Sequence, residues 1–325
     1  MELVAGIDLG GTDTKFGLVS REGKLFAYQS IPTNAEIGHE LFFEQLSDSI
    51  QDMVEALGPG YKLVGVSVGA PTGSQKNGTI DNASNLNWPR KLPVANILSA
   101  NFNLPVSVSN DANAAAVGEM LFGVAQNKKD FLCVTLGTGL GCGIVIDGDL
   151  VLGSRGHAGE LGHVLISGNG RECGCGRKGC LETYASATGI VRTANELIAS
   201  EEYPKSVLQF SENGSLSAKK ITKAANEGDE LALRAFEITG RFLGRTLANT
   251  VALLNPELIV LTGGLSRSKE LILEPTQRNM EENLLDIYKG TVELKLSEIS
   301  GKRTAILGTA AFMWLKLDSL SKQTA

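Results

Sequence analysis

Apolar positions recur along this chain in two similar rounds. Residues 3–8, 14–19 and 24–31 are apolar or alternating runs separated by Gly-rich or charged turns, and they predict three strands. A helical period follows across 40–57, with Leu41, Phe42, Leu46, Ile50, Val54 and Leu57 on one face. Strands are predicted at 62–68 and 105–109, and a helix from Ala112 to Phe122. The pattern then restarts. Residues 131–136, 141–147 and 149–153 repeat the three-strand opening, and GIDLGGTDTKFGLVSREGKL lies over VTLGTGLGCGIVIDGDL at an offset of about 128 residues. Helices near 184–200 and 229–253, a strand at 257–262, a helix from 267 and a closing helix around 304–318 complete the round, and 202–217 is polar enough to be a loop. Strands alternating with helices predict an α/β fold, and the repeat predicts a duplicated domain. The expected division is a first domain at 1–119 and a second at 120–303, with the closing helix 304–320 packing back on the first.

Composition narrows the class. The 325 residues suffice for two domains with full cores. With 42% hydrophobic and 20% charged residues, the chain reads as an ordinary globular protein rather than a disordered or disulfide-dense one. A net charge of −6 argues against a broad surface for nucleic acid or anionic membrane, so neither partner is expected. The opening MELVAGIDLGG lacks the basic segment and apolar core of an export signal, and no apolar stretch approaches a membrane span. A reducing cytoplasm is the expected setting.

The most specific chemistry lies in GELGHVLISGNGRECGCGRKGCLE, residues 159–182. His163, Cys173, Cys175 and Cys180 are one imidazole and three thiols, the donor set of a closed structural Zn²⁺ site. Gly174, Gly176 and Gly179 allow the sharp turns that such close spacing needs. A disulfide would leave one of these cysteines unpaired and the histidine unexplained. Cys133 and Cys142 read as small buried residues.

Three glycine-rich turns suggest phosphate binding. In the first hairpin, Asp8, Gly10, Gly11, Thr12, Thr14 and Lys15 put backbone amides, two hydroxyls and a cation beside an acid that can hold Mg²⁺ through water. The second, with Gly137, Thr138 and Gly139, repeats this chemistry. The third, Gly263 and Gly264, follows the apolar run ELIVL and precedes a helix, where ligands sit in open α/β sheets. Two such hairpins facing across a cleft suit ATP, although none is a G-x-x-x-x-G-K-[ST] loop.

Duplicated halves opened by phosphate hairpins resemble the sugar kinase, heat-shock ATPase and actin superfamily, a duplicated ribonuclease-H-like fold with two domains around a cleft. Within it, D-x-G-G-T-x-x-K at 8–15, Asn110-Asp111 heading A-N-A-A-A, G-E-L-G-H at 159–163 and C-x-C-G-x-x-G-C-x-E at 173–182 resemble the ROK family of bacterial sugar kinases and related repressors. The resemblance runs from residue 4 to about 315.

A sugar kinase needs a carboxylate to orient the hydroxyl and take its proton. Asp111 is the candidate, after the apolar run PVSVS and at the start of a helix, where the bland alternative is a helix cap. The resemblance implies the general base for Asp111, and hexose contacts for Asn110, Asp111, Glu160, His163 and Glu182, with Asn85 as a further contact. His163 would then serve zinc with one ring nitrogen and sugar with the other. His157 is read as exposed and unassigned. The repressors carry a helix-turn-helix ahead of the kinase fold, and with a strand predicted from near residue 4 none is expected here. The expectation is therefore a cytoplasmic glucokinase using ATP, Mg²⁺ and a structural Zn²⁺, assembled by analogy as a dimer or tetramer. N-acetylmannosamine, N-acetylglucosamine and fructose are the alternative substrates, and a sugar-sensing regulator or an ATPase without acceptor the alternative classes.

Overall fold

β1 (Glu2–Leu9), β2 (Asp13–Val19) and β3 (Leu25–Pro32) form an antiparallel meander. β1 is almost wholly buried, as a central strand with neighbours on both sides must be, and the edge strand β3 is mostly open to solvent. The computed structural model describes residues 1–33, 35–81, 88–210, 216–299 and 304–324. α1 (His39–Leu57) leads to β4 (Lys62–Gly69), which lies parallel beside β1. A small three-stranded sheet follows, made of β5 (Gly73–Ser74), β6 (Thr79–Asp81) and β7 (Lys91–Leu92), then α2 (Val94–Phe102), β8 (Val106–Ser109) and α3 (Asp111–Phe122). The first large sheet has the order β3-β2-β1-β4-β8.

The second round repeats this plan. β9 (Phe131–Leu136), β10 (Leu140–Ile146) and β11 (Asp149–Leu150) form the meander. α4 (Ala187–Ala199), α5 (Ala218–Asn226) and α6 (Glu230–Leu254) precede β12 (Leu258–Thr262), and α7 (Glu270–Asn283) precedes β13 (Glu293–Leu296). The order β11-β10-β9-β12-β13 matches the first sheet strand for strand, with β12 parallel to β9 as β4 is to β1. α8 (Thr304–Thr324) closes the chain.

Two compact units result. One comprises 1–127, 152–158 and 298–325, the other 128–151 and 159–297. The division expected at 119/120 would cut α3, a continuous helix to Phe122. The predicted strand at 149–153 shortens to Asp149–Leu150, and the following 152–158 belongs to the first unit.

In the first unit, α8 packs on β1 and β4 and against α3. The approach to α3 is backbone on backbone: a Cβ at Gly308 would stand 2.5 Å from the Ala114 carbonyl oxygen. Trp314 is 2% exposed and donates its indole N–H to the Ser20 carbonyl at 3.1 Å, so its one polar atom is satisfied. α1 buries Phe42, Phe43, Leu46 and Ile50, whereas Leu41 is 45% exposed. The apolar stripe is therefore centred one residue later than the sequence pattern places it, on Phe42, Phe43 and Leu46. In the second unit, the core is built on Leu132, Val134, Ile259 and Leu261 from β9 and β12, with Phe236, Leu243 and Leu247 of α6 above them. No helix among the described residues is long and apolar enough to cross a membrane.

Candidate active site

In the first unit, the turn 10–13 joins β1 to β2 between the paired residues Leu9 and Thr14. Asp8 lies opposite Lys15 in the ladder. Burial raises the Asp8 carboxyl above its ordinary value, Lys15 partly offsets this, and the Asp111 carboxylate raises it further. The two acids thus share one local field. The turn is tight enough that a Cβ on Gly10 would come within 2.7 Å of the Asp13 carbonyl oxygen. Gly11 and Thr12 are exposed at its tip. Thr14 departs from expectation. It alternates inward with Phe16 and Leu18, is 0% exposed, and its hydroxyl lies 2.6 Å from that of Thr33. Its hydroxyl serves the core and is not offered to phosphate.

Asn110 and Asp111 sit where β8 gives way to α3. The Asn110 side-chain oxygen accepts from the Asn113 amide at 2.7 Å, so Asn110 is the helix cap. The bland role considered for Asp111 is therefore filled by its neighbour. One Asp111 carboxylate oxygen accepts from the Ala112 amide at 3.0 Å. The residue reaches solvent, yet protein crowds its carboxyl closely enough that desolvation raises its pKa, against the lowering effect of backbone hydrogen bonds. Asn85 lies outside the described residues.

The second unit holds the other candidates. The turn 137–139 joins the paired residues Leu136 and Leu140 and is one residue shorter than its counterpart. The Gly137 carbonyl accepts from the Ala187 amide at 2.8 Å, and the Thr138 carbonyl from the Thr188 hydroxyl at 2.7 Å. Both donors belong to the first turn of α4. In a trans peptide the N–H points opposite to the preceding C=O, so the amides of Thr138 and Gly139 face away from α4. Two donors facing away from the helix at a partly exposed turn can bind an anion. Gly263, with φ +97°, adopts a backbone conformation suited to glycine and presses on the Leu136 backbone, where a Cβ would stand 2.7 Å away. That brings the third glycine pair beside the second turn. Gly264 is exposed, with open space at its Cα.

His163, Cys173, Cys175 and Cys180 present one ligand atom each within 4.8 Å of one another, so this set can hold a metal ion. The Cys173 Sγ to His163 Nδ1 and Cys175 Sγ to Cys180 Sγ separations are both 3.6 Å, and none of the five cysteines, all among the described residues, is in a disulfide. The Arg177 guanidinium beside Cys175 lowers its thiol to about 6, which favours the thiolate a metal needs. Cys133 and Cys142 are buried in β9 and β10, and burial pushes the Cys142 thiol up to about 12.

His163 Nδ1 faces the thiols, and its Nε2 lies 3.9 Å from Glu160, which is exposed. Glu182 Oε1 is 3.7 Å from His163 Nδ1, while its Oε2 accepts from the Leu140 amide at 3.4 Å. Glu182 thus touches both the metal cluster and the second turn. His157 is exposed, as expected.

Sequence reasoning missed Thr188, Arg171 and Arg177. Arg171 spends all five N–H donors on Thr183 and Gly189 carbonyls, the Thr193 hydroxyl and both oxygens of Glu196, and it stacks on Tyr184 at 4.3 Å. It fastens the metal loop to α4. The placement of an arginine within the cysteine run was the available signal.

The sequence model of the ROK family matches residues 4–316. The chain belongs to the ROK family. Among ROK relatives, it is 35% identical to a glucokinase of Halalkalibacterium halodurans over 98% of this chain and 96% of that one. It is 33% identical to a glucokinase of Streptomyces coelicolor, covering 95% and 97% of the two chains. Among solved ROK structures, a glucokinase from Streptomyces griseus in complex with glucose and AMPPNP superposes with a TM-score of 0.78 at 32% identity, covering 95% of this chain and 98% of that one. The two α/β units and the His/Cys loop are thus those of a ROK sugar kinase within the actin and sugar kinase superfamily.

Proposed function

We propose that this chain catalyses ATP-dependent phosphorylation of glucose at its 6-hydroxyl, giving glucose 6-phosphate and ADP. The observation that carries the reading is the division of roles at the start of α3, where Asn110 caps the helix and leaves the raised carboxyl of Asp111 for chemistry. Similarity to glucokinases over nearly the whole chain, at 35% and 33% identity, supports glucose as the acceptor. Asp111 accepts the proton of the hydroxyl as that oxygen attacks the γ-phosphorus. The bond from phosphorus to the β,γ-bridging oxygen breaks, and ADP leaves with its electron pair. Asn110, Glu160, His163 and Glu182, with Asn85, orient the sugar through hydroxyl hydrogen bonds, which reject the wrong epimer by leaving a polar group unpaired.

The turn 10–12, Lys15, the turn 137–139 and Gly263–Gly264 hold the phosphates. Asp8 would hold Mg²⁺ through water, and the ion would neutralise charge on the β- and γ-phosphates. The His163–Cys173–Cys175–Cys180 set fits structural Zn²⁺. Tetrahedral zinc with these ligands places donor atoms roughly 3.5–3.8 Å apart, and the close pairs here stand at 3.6 Å. When bound, zinc would cross-link the loop and fix the tautomer of His163. Both units descend, in this reading, from a duplicated ribonuclease-H-like half, supported by their identical strand order.

The test is ADP release with Mg-ATP across glucose, mannose, fructose, allose, N-acetylglucosamine and N-acetylmannosamine, with a blank lacking sugar. Glucose should give the highest kcat/KM. Preference for another sugar would reassign the substrate, and sugar-independent hydrolysis would end the kinase reading.

A pH dependence follows from the raised acids. Asp111 works ionised, and desolvation holds its pKa above the ordinary 3.8, so kcat/KM for glucose falls on the acid side at a pH above that value. A kcat/KM profile checks this, and an acid limb at or below 3.8 would argue that another group takes the proton.

A further inference from the structure

The turn 137–139 is shaped by α4 rather than by its own sequence. A three-residue glycine-rich turn has many accessible backbone conformations, and fixing one of them costs entropy. Here two of its carbonyls are tied down from outside. Ser186 caps α4 by accepting from the Gly189 amide at 2.9 Å, which sets the direction of the first turn. From that turn the Ala187 amide reaches the Gly137 carbonyl at 2.8 Å and the Thr188 hydroxyl reaches the Thr138 carbonyl at 2.7 Å. Within the turn itself the Gly137 amide donates to the Gly139 carbonyl at 3.0 Å. Each outside bond orients one peptide plane, and each plane carries one outward amide, Thr138 N–H for the first and Gly139 N–H for the second. The Ala187 bond is made by backbone and survives any substitution there except proline. The Thr188 bond is made by a side chain, so a single hydroxyl controls whether the Gly139 amide is aimed.

We propose that Thr188 is a positioning residue for the nucleotide: its hydroxyl holds the Thr138–Gly139 peptide in the orientation that presents the Gly139 amide to phosphate. The assignment rests on the kinase reading of this turn. It does not require Thr188 to touch the nucleotide, and neither partner of its hydroxyl, the Thr138 carbonyl at 2.7 Å or the Ser186 hydroxyl at 3.1 Å, is a candidate sugar contact. Thr188 is exposed, and valine keeps the β-branched shape while dropping the hydroxyl; the 3.1 Å contact with the Ser186 hydroxyl goes with it, but Ser186 keeps its bonds to the Gly189 amide and the Glu182 carbonyl.

The test is calorimetric binding of Mg-ADP to the zinc-loaded full chain without sugar, for the wild type, Thr188→Val and Thr188→Ser, together with the Kd for glucose and the zinc content of each. Thr188→Val should weaken Mg-ADP by about three- to tenfold, the scale of one hydrogen bond. Glucose affinity and zinc content should stay at wild-type values, and Thr188→Ser, which keeps the hydroxyl, should recover most of the loss. A wild type that binds Mg-ADP alongside a Thr188→Val protein with a Kd within about twofold of it overturns the assignment alone. A serine variant as weak as the valine one also overturns it, since the hydroxyl would then not be the cause. A wild type with no affinity for Mg-ADP overturns the kinase reading and this assignment with it.

Discussion

Asp111→Asn should lower kcat for glucose phosphorylation by about two to four orders of magnitude, the range associated with losing a positioned proton acceptor. Glucose affinity should change little, because the amide keeps the size of the carboxylate and can still hydrogen-bond a hydroxyl. The same change should not lower thermal stability. The Asp111 pKa is raised in the folded chain, so its favourable contribution exists below the unfolded pKa and is lost as pH rises through the folded one. At neutral pH the ionised carboxylate therefore works against folding, and the neutral amide removes that opposition together with the charge that raises Asp8. Contact with solvent limits the size of this effect, and its sign is the prediction. ADP release gives kcat, and melting at pH 7 and at pH 4.5 gives the stability comparison, with the variant's advantage expected to shrink at the lower pH. Turnover near the wild-type rate would remove Asp111 from the mechanism; a clear drop in Tm at pH 7 would return it to the structural role that Asn110 fills here.

Cys180→Ser should produce the largest loss of stability of any single ligand change. Cys180 is 0% exposed and begins the segment that runs through Thr183 and Ser186 into α4, so an empty ligand position there is also a buried defect. Loss of a structural metal belongs with the rare substitutions costing more than about 4 kcal/mol. For a unit of this size that corresponds to a Tm decrease of about 10 °C. Cys175→Ser, at an exposed position, should lose zinc affinity with a smaller decrease, since water can solvate the new hydroxyl. Glucose binding should weaken in both, because His163 loses the contact that fixes its ring. Calorimetry and metal analysis of carefully prepared protein check this. Wild-type protein that carries no zinc and melts at the same temperature as Cys180→Ser would refute the structural metal.

The sequence exposed those parts of the molecule whose physics is local. Strand runs in β1, β9 and β12 are long, apolar and bounded by glycine, and the helical periods of α1, α3 and α6 are strong, so their positions were legible within a few residues. α2, α5 and β13 were not, being only nine, nine and four residues long. The metal cluster was legible because its ligands are close in sequence. Thr14 was misread because a hydroxyl in a glycine-rich hairpin looks available, and only the alternation of β2, which turns it inward to the Thr33 hydroxyl, shows it buried. Thr188 could not be found in advance, since its partner Thr138 lies 50 residues away and the bond depends on where α4 begins. Asp111 was placed by its setting, but its release from capping depended on a rotamer of Asn110 that no pattern reveals.

The clamp made by Arg171 bears on how the metal cluster could be repaired. Its guanidinium ties the segment before Cys173 to the Thr183 and Gly189 carbonyls, and these bonds need no ion. The loop is consequently anchored beyond both ends of its cysteine run by bonds in which its thiols take no part. Capture of an ion then requires small adjustments among four nearby donors rather than ordering of a whole segment, which favours fast loading. It also means that an oxidised or stripped loop keeps its anchorage on α4 and can be reduced and refilled in place, without passing through global unfolding.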